Sequence, residues 1–290
     1  MPRFELRPPA RHIGQYMESG DWSDYWRTAI SRASSGEILV RGYPIEEIIE
    51  HLTSTEAHWL LLQGELPTPA QAEIFDVLLR SGMDQQLISS AASATRFAAS
   101  ASRNPVSAVA AGMLATGVVT GSPRPAMEML YSAAEGVSAS MEGLSEAARN
   151  VVAEYRARRE LIPGLGHPTH RGGIEPRAEA VRRAVTARGG WSLHCQLLEA
   201  VHAELEQALG RTVTVNLAGM IAAVYCDLDF DPLVAEGVSA LEYGWALIAH
   251  AVEEIRDGVP LRIIPDALGT VYTGPPERHL PARQHPERSP

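Results

Sequence analysis

The 290-residue chain contains no lysine; apart from histidine, all 25 of its basic residues are arginine. Chemistry that needs a primary side-chain amine is thereby excluded: a Schiff base, pyridoxal phosphate attachment, a P-loop lysine. Coding bias in an alanine- and arginine-rich proteome accounts for the absence without a functional cause. Cysteine is almost as scarce. Cys195 and Cys226 are the only two, they are far apart, and they form no CxxC pair. That argues against a thiolate zinc site and for a reducing compartment, so a cytoplasmic location is expected. No run of about eighteen apolar residues occurs, and the opening MPRFELRPPARH has no apolar core, so neither a membrane span nor a signal peptide is expected. A net charge of -10, from 25 basic and 35 acidic residues, leaves no positive field to draw nucleic acid or an anionic membrane. No internal repeat is present.

What the chain does have is apolar residues, 45% of the total, enough for a large core in one domain or two. Helical periodicity dominates. Thr53 and Glu56 form a capping box ahead of Ala57, Leu60 and Leu61, and Thr68 followed by Pro69 reads as an N-cap with proline at the first helical position. That helix runs through Ile74, Val77 and Leu78 to a stop at Gly82. Segment 88–117 is rich in Ala, Ser and Gly and predicts two closely packed helices. Leu193, Leu197, Val201, Leu205 and Leu209 share a helix face that ends at Gly210, and a further helix is predicted over 237–256. Strand candidates are short: Ile38–Arg41 and Thr212–Val215. The fold class is mainly α, with one small hairpin near the N-terminus and a loosely packed, proline-rich tail.

Four segments, in this order, carry a resemblance to a known family: WRTAISRASSGEILVRGYPIEEIIEHLTSTEAHWLLLQGELPT (26–68), PGLGHPTHRGGIEPRA (163–178), VNLAGMIAAVYCDLDF (215–230) and LIAHAVEEIRDG…YTG (247–274). Together they resemble the citrate synthase and citryl-CoA lyase superfamily. The resemblance implies a helical protomer of two domains that works as a homodimer and closes over an acyl-CoA. It further implies a large domain from 26–125 plus 237–274, an inserted small domain at 126–236, an N-terminal extension at 1–25 and a flexible tail at 275–290.

Carbon–carbon chemistry at an acyl thioester needs a base, a donor for the enolate oxygen and a donor for the acceptor carbonyl. By resemblance, His167 is that last donor. Gly164, Leu165 and Gly166 form the loop that meets the nucleotide of coenzyme A, with Arg171 on a phosphate and Arg177 anchoring a carboxylate. The rest of the pattern departs. Thr120 stands where the first histidine is expected, in a turn altered by Pro123 and Pro125. Ala218 stands where the aspartate base belongs, and Met83 where another histidine belongs. Tyr243 replaces one arginine, and residues near Ile264–Asp266 replace another. Thr120, Ser122 and Tyr243 offer hydroxyls but cannot titrate near neutral pH. Asp227 and Asp229 lie two to three helical turns beyond Ala218, at ~1.5 Å per residue, and are poor substitutes for the base.

Plainer readings stand beside these. His167 alone reads as a buried structural histidine, Arg177 as a helix-start pair, and Arg171 as a solvated loop residue. The His167/His170 pair lacks further metal ligands, and His250 with Glu253 and Glu254 reads as packing. Three functions follow: an enzyme of altered chemistry on an acyl-CoA or related thioester, with neither metal nor pyridoxal phosphate; a catalytically inactive homologue that binds a ligand or partner subunit; or an ordinary citrate synthase or citryl-CoA lyase whose aspartate lies elsewhere than position 218.

Overall fold

The computed structural model describes residues 12–280 apart from 24, 118–120, 169 and 171. Helix α1 (Ile13–Ser19) precedes a three-stranded antiparallel sheet of β1 (Ser31–Ser34), β2 (Glu37–Val40) and β3 (Tyr43–Pro44), in that order. Then come α2 (Ile45–His51), α3 (Ser54–Gln63), α4 (Pro69–Ser81), α5 (Ser90–Ser102), α6 (Pro105–Leu114), α7 (Arg124–Ala134) and α8 (Met141–Arg158). Strand β4 (Gly173–Ile174) leads into α9 (Pro176–Thr186) and α10 (Leu193–Leu209). Strand β5 (Thr214–Val215) leads into α11 (Leu217–Asp227), α12 (Pro232–Asp257) and a short 3-10 turn, Asp266–Leu268.

The capping signals are realised. Thr53 with Glu56, and Thr68 with Gln71, make complete capping boxes on α3 and α4. Gly210 closes α10 in the left-handed region, as a C-terminal glycine should. The small-residue segment is an α5–α6 pair in which Gly112 is indispensable: a Cβ there would lie 2.0 Å from Thr95 Oγ1. The expected N-terminal hairpin is present. Helix α12 starts earlier than its apolar pattern suggests, because Asp231 caps it and Pro232 takes its first position.

Helix α11 is the hub. Leu217 and every residue from Gly219 to Cys226 are buried, so it is apolar all round and sits inside the molecule. Around it α4, α7, α8, α9 and α10 form one core, joined by Trp59 and Phe230. A second, smaller layer packs α5 and α6 against the far half of α12 through Ala91, Ala99, Ala108, Leu247 and Ala251. Helix α12 therefore belongs to both: Ala235 and Val238 enter the first core, Leu247 and Ala251 the second.

Asp227, weighed above as a substitute base, has a structural task. From the end of α11 it accepts from the backbone N–H groups of Ser192 (3.0 Å), His194 (2.9 Å) and Cys195 (3.3 Å). It thus caps α10, whose own N-cap residue makes no side-chain bond. Burial works to raise this carboxyl, but hydrogen bonds from His194 and Cys195 hold it below the ordinary range. Asp227→Ala is expected to cost about 2 kcal/mol, the upper range for a lost cap, read as a lower urea midpoint at unchanged slope.

Candidate active site

The glycine loop at 163–167 is fastened to the start of α11. Gly164 has φ +83° and lies against Gly219, and a Cβ on Gly164 would stand 2.5 Å from the Gly219 Cα. The Gly166 N–H donates to the Thr214 carbonyl at 2.6 Å, and the Asn216 N–H to that of Gly164 at 3.1 Å. Asn216 does more: its Oδ1 caps α11 at the Gly219 N–H (3.0 Å), while its Nδ2 donates to the Gly166 carbonyl (2.9 Å). One side chain thus joins loop and helix. Sequence reasoning passed over it, although asparagine ahead of an apolar helix is an N-cap signal. Leu165 turns its side chain into the core, which leaves only its backbone for a ligand. Beyond the loop opens a cleft of about 560 Å³, lined by Ile162, Gly166, His167, Leu205, Arg211 and Val213 among others.

His167 is half-buried at this cleft. Its Nδ1 accepts the His170 N–H at 3.1 Å, so the proton resides on Nε2. Burial, followed by the neighbouring His170 and Arg177 charges, pushes its pKa down against the pull of Glu175. The ring is neutral at neutral pH and is a donor through Nε2.

Arg177 comes from the first turn of α9. Its Nε donates to Glu175 Oε1 at 2.8 Å, and its Nη1 reaches the Asp84 carbonyl at 3.4 Å. Glu175 is buried and also caps α9 at the Ala178 N–H, 3.1 Å. Burial raises the Glu175 carboxyl, but the bonds from Arg177 and Ala178 outweigh it and keep it ionised.

Tyr243 accepts a hydrogen bond from Gln85 Nε2. Burial, then the neighbouring Glu242, pushes its hydroxyl up to about 12, so it keeps its proton and is a donor. The charges of Glu175 and Arg177 act on both His167 and Tyr243, yet the three candidates line separate openings: His167 the cleft beside the glycine loop, Arg177 a groove with Met83 and Ala180, and Tyr243 a small pocket with Gly121 and Ser122. Thr120 and Arg171 lie outside the described residues. Gly121, next to Thr120, is close to Tyr243: a Cβ there would be 3.5 Å from both its Oη and Gln85 Nε2. Ser122 donates to Glu236 at 2.9 Å instead.

Four acids that could be considered in place of the missing base are all engaged. Glu175 holds Arg177, Asp227 caps α10, Asp84 pairs with His250 Nε2 at 3.1 Å, and Glu242 accepts from Tyr225 Oη at 3.0 Å. His250 is part of a wider network, its Nδ1 accepting from Arg96 at 3.2 Å. Among the described residues no group of three or more His, Cys, Asp or Glu side chains is placed to hold a metal ion.

Glu242 is the most perturbed of these acids. It is buried among Tyr225, Ser239 and Gly82, and burial pushes its carboxyl up to about 8. A folded pKa above the unfolded one gives stability that is full below the unfolded value and lost as pH rises through the folded value. The melting temperature is therefore expected to fall between about pH 5 and pH 8, and Glu242→Gln is expected to flatten that fall.

The family profile "Citrate synthase, C-terminal domain" matches residues 24–89 and 69–264, most of the chain. The citrate synthase of Deinococcus radiodurans is 27% identical over 260 residues, which cover 87% of this chain and 62% of that protein. The chain thus spans less than two thirds of that relative's length. The structure of citryl-CoA lyase from Hydrogenobacter thermophilus superimposes with a TM-score of 0.80 at 28% identity, covering 88% of this chain and 97% of that one. ATP citrate lyase from Methanothrix soehngenii, solved with citrate and coenzyme A, shares the fold at a TM-score of 0.75 and 20% identity, covering 96% of this chain and 47% of that one. The sequence match over residues 24–264 and the shared helical architecture agree: the chain belongs to the citrate synthase family.

Proposed function

We propose that this chain binds a coenzyme A thioester and makes or breaks a carbon–carbon bond at its acyl group. The observation that carries this reading is His167. It is held neutral, protonated on Nε2 and set beside the glycine-loop cleft, within the influence of the Arg177 charge. A neutral imidazole N–H donates to a carbonyl oxygen without a proton being lost, which suits a carbonyl whose oxygen gains charge in the transition state. Tyr243 is the second donor in this reading, Arg177 the carboxylate anchor, and the loop Gly164–Gly166 with Arg171 the coenzyme A contact. The solved relatives include one bound to citrate and coenzyme A and one bound to (3S)-citryl-CoA, and the match to a citryl-CoA lyase spans nearly that whole protein. In the same reading the chain divides into a large domain and an inserted small domain, and the cleft beside the glycine loop is lined by the small domain, residues 126–236. Two copies pair through the α5, α6 and α12 layer, which exposes Phe97, Val106, Trp245 and Ile248.

Ala218 supports a second reading, binding without turnover, because Glu175, Asp227, Asp84 and Glu242 are each engaged elsewhere. One experiment separates the two. Coenzyme A and acyl-CoAs are expected to raise the melting temperature by the equivalent of about 2.7 kcal/mol at ~100 times the dissociation constant. Turnover is then assayed with the thioester that shifts it most. His167→Ala is expected to fold, to keep the shift and to lose at least a hundredfold in rate. A shift without turnover in the unmodified protein favours the second reading, and no shift with any coenzyme A compound sinks both.

A further inference from the structure

We propose that the groove between the end of α4 and the outer face of α9, a separate opening bordered by Arg177, holds the second substrate, and that this is a monocarboxylate bearing a hydrocarbon group and a reactive carbonyl rather than a di- or tricarboxylate. The inference rests on the proposed thioester chemistry, whose second substrate it names by class. The groove encloses about 400 Å³, within the range of small-molecule sites. Val77, Met83, Ala180, Val181 and Ala184 give it an apolar lining.

Three guanidinium groups border it, and two are committed. Arg80 is held by Asp76 at 2.6 Å; Arg188 is held by Glu73 at 3.4 Å and by the Ala184 carbonyl at 2.9 Å. Arg177 differs. Its Nε is held by Glu175, its Nη1 makes only the 3.4 Å contact with Asp84, and its Nη2 makes no hydrogen bond among the described residues. One edge of one guanidinium suits one carboxylate. A second carboxylate on the ligand would meet Asp84, which also lines the groove and whose own carboxylate is already committed to His250. Met83 is 64% exposed here, so a soft apolar side chain stands where the family pattern expects a histidine. A hydrocarbon group would cover it, with binding strengthened at most roughly fourfold per methylene.

The test is calorimetric titration of the full chain with butyrate, hexanoate, octanoate and citrate. Affinity is expected to climb with chain length, and hexanoate to bind more tightly than citrate. Ala180→Trp, at an exposed helix position, fills the groove and is expected to weaken octanoate at least tenfold. Its urea midpoint checks that it folds. Arg177→Gln is expected to weaken the three monocarboxylates alike. Tighter binding of citrate than of hexanoate, affinity independent of chain length, or an unchanged Ala180→Trp each overturns the proposal. Coenzyme A is absent from this titration. Binding of the monocarboxylates as expected, with no thermal shift by coenzyme A, would leave the groove standing and remove the thioester reading.

Discussion

Replacing Gly219 by alanine is expected to destabilise the chain by about 3 kcal/mol and to abolish coenzyme A binding, although alanine is ordinarily the better helix former. A Cβ at position 219 would lie 2.5 to 2.9 Å from the carbonyl oxygen, Cα and carbonyl carbon of Gly164. These are backbone atoms and cannot rotate away as a side chain would. The loop must lift, and with it go the Asn216 bond to the Gly166 carbonyl and the Gly166 bond to Thr214. Stability and ligand binding are therefore lost together. Gly237 is the control. It lies in α12 with nothing within 4 Å of its imagined Cβ, so Gly237→Ala is expected to be neutral or to stabilise by up to ~1 kcal/mol. Urea midpoints of both variants, with a coenzyme A titration of each, decide the matter. A Gly219→Ala protein as stable as the parent would mean that the loop does not sit against α11.

Glu254→Ala is expected to cost about 3 to 5 kcal/mol, as when one partner of a buried ion pair is removed. The Glu254 side chain is fully buried on α12 and binds two arginines: Arg262 at 2.6 and 2.9 Å, and Arg96 at 3.0 Å. Arg96 is itself only 12% exposed, so the variant strands a buried cation with Glu253 and His250 as its remaining partners. The bond from Arg262 leads in holding Glu254 below the ordinary carboxylate range, against the opposing effect of burial. A lowered folded pKa gives stability that is present above the unfolded value and lost as pH falls through the folded value. The unmodified protein is thus expected to weaken in acid, below about pH 4, and the variant to lose less there. A local effect accompanies the global one. Arg262 and the Ser100 contacts with Leu261 and Arg262 hold the C-terminal segment against α5, so the variant is expected to be cleaved faster there by a protease. An unchanged urea midpoint would mean that the pair contributes nothing net.

The sequence made some of this visible and hid the rest for identifiable reasons. Capping boxes, terminal glycines and the hairpin depend on residues a few positions apart, and all were legible. So was the glycine loop, as a motif. The two-residue parallel ladder of β4 and β5 pairs Gly173 with Thr214 and Ile174 with Val215, a distant match that no local pattern announces. Asp227 caps a helix that begins more than thirty positions earlier in the chain. Glu242 reads as a surface acid and is buried because only a glycine stands at position 82. The expectation of an aspartate at position 218 came from resemblance, whereas the engagement of Glu175, Asp227, Asp84 and Glu242 needed coordinates. The early start of α12 was readable in principle from Asp231 and Pro232.

The span of α12 across two packing layers has a mechanical consequence. A 26-residue helix is a rod about 39 Å long, and Glu242 and Tyr243 sit near its middle, where Tyr225 and Gln85 meet it. A tilt of ~5° about that point would carry each end through roughly 2 Å, in opposite directions. The space beside Tyr243 therefore lies at the pivot of such a tilt. Such a tilt would carry the α5–α6 layer and the α11 core together, with lever arms set by helix length.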